Sequence, residues 1–404
     1  MEIRGSVAHV QGRDRASRRF LGIITVILAC FLCTPVSYSC EPSYQDDLRK
    51  ICDAPTLSGT SGTFAYMKRH RAMFKWIADN VRHSAAVKLY SAMITAPPEL
   101  QREMLLGETR EQGVTPCPLA DWLVKPDSPP GIRLPESAAR FAFVPQFVQV
   151  SVSPDTILVD ETRIADVRQG RASGPWMREL TRKLTGTAKR ERALTRQRPG
   201  TKVPGTFSLL VDKGILCGLV TQVVQAAHRA GYEPRLVVLR DQGMLGQLKI
   251  ASLSAEELSS PASERPPLDL AVAIRTDGFV VAAAGGVLAT GGSAGGPDDP
   301  SGPTIPLATD RKSCKDARPD IACFDYDDLT QKMAVLKDNF PRETRIILLV
   351  GPQIPYEVLI RTMDATRAKG DRTLFHDVRL GTPDTMAISR EGVHRPAKPN
   401  DRPR

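Results

Sequence analysis

The sequence predicts an α+β protein: an N-terminal helical bundle followed by two small two-layer α/β units. Three observations carry that expectation. Apolar residues recur at helical spacing from about residue 44 to 123. Beyond residue 140, β-type alternation and short apolar runs alternate with helical stripes. The second half of this region repeats the first, since Val211 and Val350 lie 139 positions apart and the same spacing relates Leu209 to Leu348, Ile215 to Ile354, Ala226 to Ala365 and Gly231 to Gly370.

The first 40 residues form a separate segment. Arg13, Arg15, Arg18 and Arg19 precede an apolar run from Phe20 to Cys33 that extends to Val36. Cations followed by an uninterrupted apolar stretch have the layout of a signal peptide or membrane anchor, with the positive flank held in the cytoplasm. At about 17 residues the run lies between a signal-peptide core and a spanning helix. Ser37-Tyr38-Ser39 offers a cleavage site before Cys40. The expected location is the cell envelope: anchored in the inner membrane with a periplasmic bulk, or exported to the periplasm.

From 44 to 123 the stripe Tyr66, Met67, Met73, Phe74, Trp76, Ile77 and Val81 predicts one helix. A second covers Ala85 to Thr95, and a third runs from Pro98 to Gln112, with Pro at its first turn and Gly113 after its end. Cys52 and Cys117 bracket this region. A bridge between them would close a loop of about 65 residues and contribute roughly 3–5 kcal/mol in the chain-entropy model. Prolines 126, 129, 130 and 135 make residues 124–140 an extended linker.

The first α/β unit spans 141–242. Phe147, Val148, Val150 and Val152, then Ile157 and Val159, predict two strands about a polar turn at Asp155-Thr156. A helix follows from Trp176 to Ala193, then a strand Phe207–Val211, a helix Cys217–Ala230 capped by Gly231, and a strand Arg235–Leu239. The second unit spans 268–385. Leu270, Val272 and Ile274 lead through Asp277-Gly278 to Phe279–Val281 as a hairpin. After a long Gly-, Ser- and Pro-rich loop come a helix Asp325–Lys337, a strand Arg345–Val350, a helix Tyr356–Ala368 and a strand Leu374–Leu380. Cys314 and Cys323 bracket a short loop and form the second expected disulfide. Arg240 to Pro267 reads as the link between units, and 388–404 as a disordered basic tail.

The net charge of +10 is spread along the chain and reads as a solvated surface. No RNP aromatics, zinc-finger spacing or basic zipper is present, so nucleic acid is not expected as a partner. A basic envelope protein can still meet anionic lipid or cell-wall polymer. No metal or cofactor motif stands out. Asp325, Asp327 and Asp328 suit a helix N-terminus, and Asp212-Lys213-Gly214 is a turn without a phosphate-loop pattern.

The second unit resembles the periplasmic domain of the ExbD/TolR biopolymer-transport family. The residues that carry the likeness are Asp277-Gly278 in the hairpin, Ile346 to Val350, Ile354-Pro355-Tyr356, Val358-Leu359, Met363-Asp364 and Gly370. The first unit keeps the element order but not the letters: Ile215-Leu216-Cys217 stands at the helix entry and Gln225 at the place of Asp364. The resemblance covers about residues 139–385 and leaves the helical region outside. It implies a non-enzymatic envelope component whose partner is an ExbB/TolQ-like inner-membrane channel protein or another envelope protein. Units of this family assemble as dimers, so homo-oligomers are possible, and the tandem copies are expected to pack as an internal pseudo-two-fold pair. Ile354, Pro355, Tyr356 and Asp364 become partner-contact candidates. Pro355-Tyr356 reads first as a helix entry whose tyrosine hydroxyl stays wet, and Asp364 as a solvated mid-helix carboxylate. The family's motor helix carries an Asp for proton coupling, whereas Phe20 to Val36 holds no Asp or Glu.

Two other readings compete. One is a wall- or protein-binding module without a channel partner. The other is a transglutaminase-like cysteine hydrolase with Cys217 as nucleophile at a helix start. The strand Leu268–Ile274, where such an enzyme needs its His, has none, so Cys217 reads as a structural thiol and no catalytic residue is expected.

Overall fold

In the computed structural model the described residues are 43–381, except 61–62, 64, 126–128, 130, 139–140, 147, 197–204, 253–269, 284–302, 309–313 and 315–320. They belong to one compact unit. The expected export segment and the expected basic tail fall outside them, as does Phe147.

Five helices come first: α1 Tyr44–Leu57, α2 Tyr66–Asn80, α3 Ser84–Thr95, α4 Pro98–Gln112 and α5 Pro118–Val124. Pro98 opens α4, and Gly113 ends it in the left-handed region at φ 65°, as its position after Gln112 predicts. Ser43 caps α1 by accepting a hydrogen bond from Asp46 N. Cys52 on α1 is bonded to Cys117 at the start of α5, 65 positions later.

The first unit contributes β1 Gln149–Val152, β2 Thr156–Val159, β3 Thr162–Arg168, β4 Arg171–Ala172, α6 Trp176–Arg196, β5 Thr206–Val211, α7 Cys217–Arg229, β6 Glu233–Leu239, β7 Leu245–Lys249 and β8 Ala251–Ser252. The second contributes β9 Leu270–Arg275, β10 Gly278–Ala283, β11 Ile305–Pro306, α8 Tyr326–Asn339, β12 Arg345–Val350, α9 Tyr356–Arg367, the small hairpin β13 Ala368–Lys369 and β14 Arg372–Thr373, and β15 Asp377–Gly381. The first sheet runs β4-β3-β2-β1-β5-β6-β7 and the second β11-β10-β9-β12-β15-β8.

In both sheets the central strand is the apolar run that carries the repeat. β5 and β12 lie parallel to a strand on each side. Both are buried almost throughout, which is why they read as unbroken apolar runs without alternation.

The register measures how alike the units are. Val150 pairs with Val159, and Val272 with Val281, both 122 positions further on. Thr206 opens β5 and Arg345 opens β12 at the 139 spacing, and Cys217 and Tyr356 open α7 and α9 at the same spacing. The spacing then breaks. Thr206 pairs with Glu233, but Arg345 pairs with Asp377, which lies 144 positions beyond Glu233. The extra residues accommodate the β13–β14 hairpin. Gly231 ends a helix and Gly370 turns that hairpin, although both have positive φ, 82° and 58°.

Several expectations need correction. Two strands, β3 and β4, extend the first hairpin; β3 buries only Ala165 and Val167 among charged and exposed neighbours, too sparse a pattern to stand out in the sequence. The link Arg240 to Pro267 is partly sheet: β7 pairs antiparallel with β6, and β8 pairs in parallel with β15 of the second sheet. The linker 124–140 also does more than span. The carbonyl of Pro135 accepts from Leu239 N at 2.9 Å, and Ser137 N donates to Leu239 O at 2.8 Å. Its Arg133 N donates to the buried Asp212 carboxylate at 2.8 Å. In the second hairpin Arg275 pairs with Gly278, so the turn residues are Thr276-Asp277. Gly278, at φ 139°, is needed for another reason: a Cβ there would lie 2.2 Å from Ile305 O on β11.

The helical region is not a detached domain. Leu48, Ile51, Met73, Ile77, Leu105 and Leu123 share one core with Leu210, Val237 and Leu245 of the first sheet. The opposite face of that sheet, with Val150, Leu209, Val211 and Leu236, joins a core that runs on through α6 and α7 into the second unit.

Candidate functional site at the junction of the two units

The helix entries of the two units meet. Ile215-Leu216-Cys217 and Ile354-Pro355-Tyr356 lie side by side, with Leu216 and Pro355 bridged in antiparallel fashion. Cys217 N donates to Ile354 O at 2.7 Å, and Tyr356 N donates to Ile215 O at 2.7 Å. Gly218 N donates to Pro352 O and Glu357 N to Lys213 O, each at 3.1 Å. Each bond maps onto its counterpart when 139 is added to one residue and subtracted from the other. The four bonds therefore define a local two-fold axis through Leu216 and Pro355. They also answer a physical need. The first N–H groups of an α-helix have no partner in their own helix, and here each helix takes carbonyls from the other unit's entry loop.

The symmetry is broken beside the axis. On one side Lys213 and Glu357 form an ion pair at 3.4 Å. On the other, Gly218 sits against Pro352, and a Cβ on Gly218 would lie 3.0 Å from Pro352 Cβ. On that side an open cleft of about 550 Å³ is lined by Gln169, Arg171, Leu216 and Gln353. It borders a second cleft of about 350 Å³ that reaches Gly218, Leu219 and Gln222. Among the described lining residues there is no thiol, imidazole or carboxylate. The walls offer amides and a guanidinium over an apolar floor, which suits hydrogen-bonded binding more than bond-breaking chemistry.

Cys217 is fully buried at the start of α7. Burial pushes its thiol well above the ordinary range, so it is protonated at neutral pH and is no ready nucleophile. Replacing Cys217 with Ser should leave the fold and function in place and lower stability by about 1–3 kcal/mol, the cost of setting a hydroxyl where a thiol was buried. Denaturant unfolding measures the loss. A stable, folded Cys217→Ser protein without function would restore the hydrolase reading.

Of the four partner-contact candidates, Ile354 and Tyr356 are buried, while Pro355 and Asp364 are half-buried. Ile354 and Tyr356 have no exposed surface, and the surface Pro355 meets is the chain's own first unit. The tyrosine hydroxyl is not wet as expected. It is buried without a hydrogen-bond partner among the described residues, and burial drives its pKa upward. Asp364 is half-buried and its carboxylate is held in place. Its carboxylate accepts from Ser137 Oγ at 2.7 Å and Ala138 N at 2.9 Å, tying α9 to the segment after the helical bundle. Burial raises its pKa against the pull of those bonds and of Arg361 and Arg367. Gln225 holds the equivalent place in α7, so this tie belongs to the second unit alone.

The expected disulfide Cys314–Cys323 is present, with Cα atoms 5.4 Å apart. Asp325 caps α8 by accepting from Asp328 N. Among the described residues no cluster of His, Cys, Asp or Glu is arranged to hold a metal. Among them, too, no helix is long and apolar enough to cross a membrane, and Phe20 to Val36 lies outside them.

No family model, curated protein or solved structure matches this chain.

Sequence reasoning missed the cleft. Its lining comes from the β3–β4 hairpin and from loops of both units, and nothing in the pattern of Gln169, Arg171, Gln222 and Gln353 links them before the chain folds.

Proposed function

We propose that this protein is a non-enzymatic cell-envelope component of ExbD/TolR type, in which a tandem pair of units within one chain takes the place of a dimer. The observation that supports this best is the reciprocal bonding of Ile215-Leu216-Cys217 with Ile354-Pro355-Tyr356. A second copy held in the same chain is present at high effective concentration, and the shared entry geometry gives it a defined docking surface. The order hairpin, helix, strand, helix, strand in both units agrees with the family resemblance. An ExbB/TolQ-like channel protein is the proposed partner, with the bulk of the chain in the periplasm.

A second reading has its own support. Phe20 to Val36 holds no acidic residue, and an intramembrane carboxylate is what carries a proton. The chain would then be a binding or scaffolding subunit beside the energised complex, with the amide-lined cleft as its recognition surface.

One experiment bears on both. The tagged chain is purified from membranes in mild detergent, and a reporter active only in the cytoplasm is fused after Leu123. The expected result is a silent reporter and co-purification of a channel protein. A silent reporter with no channel protein favours the second reading, and an active reporter overturns both.

A further inference from the structure

We propose that helix α6 docks on the surface of an anionic lipid bilayer. The helix carries seven Lys and Arg residues, Arg178, Arg182, Lys183, Lys189, Arg190, Arg192 and Arg196, against two Glu. Arg178, Arg182, Lys189 and Arg192 are all exposed. They stand at i, i+4, i+11 and i+14, which at about 100° per residue gathers them on one face about 21 Å long. The opposite face is buried through Trp176, Leu180, Leu184 and Ala188. One of the two acids offsets one cation of the stripe, and the other is withdrawn from it. Glu179 pairs with Arg182, and Glu191 is turned inward, where it accepts from the Tyr232 hydroxyl at 2.9 Å.

The result is a row of cations along one helix face, backed by a packed core. A planar array of lipid phosphates matches that shape. Each Lys or Arg brought to an anionic membrane surface strengthens association roughly fivefold, an effect that salt screens within a Debye length. The choice of a bilayer over a soluble polyanion rests on reading Phe20 to Val36 as an export or anchor segment, and it is independent of the ExbD/TolR resemblance.

The test reconstitutes the full chain in vesicles of phosphatidylcholine alone and of phosphatidylcholine with phosphatidylglycerol. A water-soluble ester then acylates exposed lysines, and mass spectrometry follows Lys189, with exposed Lys88 of α3 as reference. Lys189 is expected to react at least fivefold more slowly in the anionic vesicles, with Lys88 unchanged and the difference lost in high salt. The triple variant Arg178→Gln, Arg182→Gln, Arg192→Gln should remove the protection while its thermal unfolding matches the parent. Equal labelling in the two vesicles overturns the proposal, as does protection that survives in the variant. Protection by soluble polyphosphate as complete as that by vesicles also overturns it, in favour of a soluble polyanion. Retention of the chain in neutral vesicles reports on the apolar segment by itself, so failure of that reading and failure of the docking face are told apart.

Discussion

Removing the Cys52–Cys117 bridge, by changing both residues to Ala, will lower the stability of the protein by about 4 kcal/mol. The bridge closes a loop of 65 positions, and the entropy it takes from the unfolded chain rises with the logarithm of loop length. The Cys314–Cys323 bridge spans only 9, and its removal is expected to lower stability by about 3 kcal/mol on the same basis. The larger loss should also be the more widespread. Cys52 and Cys117 lie in the core that the helices share with Leu210, Val237 and Leu245 of the first sheet. Denaturant unfolding of the two double variants, followed by far-ultraviolet circular dichroism, measures both effects. If the Cys314–Cys323 variant proves the weaker of the two, loop entropy is not what these bridges supply.

Tyr356 should respond in opposite ways to two substitutions. Tyr356→Ala empties a fully buried aromatic site between the units, and a loss of about 3–5 kcal/mol is expected. Tyr356→Phe removes only a hydroxyl that is buried without a partner among the described residues. Stability should therefore stay level or rise by about 1 kcal/mol, because an unpaired buried polar group carries its desolvation penalty uncompensated. Equilibrium unfolding of both variants checks the pair. If Tyr356→Phe loses more than about 1 kcal/mol, the hydroxyl has a bonded role. If Tyr356→Ala is nearly neutral, the ring belongs to an outer contact surface instead of the junction core.

The two variants also show how far the sequence could be read. Ile354-Pro355-Tyr356 stood out through its likeness to the family's helix entry, with a proline at the first helical turn, and the helix does begin at Tyr356. The likeness says where the chain turns and nothing about what the turned face meets. Asp364 illustrates the same limit. A carboxylate in the middle of an amphipathic helix is most often solvated, yet here it is anchored by Ser137 and Ala138, 227 and 226 positions away.

Periodicity and local chemistry by themselves determined the α+β class, the bounds of α2, α3 and α4 to within a few residues, the apolar central strands, both disulfides and the 139 spacing. These are properties of neighbours along the chain: 3.6-residue stripes, unbroken apolar runs, Pro at a first turn and Gly after a last one. Tertiary structure alone decided the rest. The strap from Arg133 to Ala138, the passage of β8 into the second sheet, the five-residue slip before β15 and the cleft beside Leu216 all join residues remote in sequence. β3 buries only Ala165 and Val167 between charged, exposed residues, and its pairing with β2 and β4 exists only in the fold. The helix entries look dissimilar as letters, Ile-Leu-Cys against Ile-Pro-Tyr, yet they pair through backbone N–H and C=O groups. Side-chain identity does not encode that symmetry, and only the folded backbone displays it.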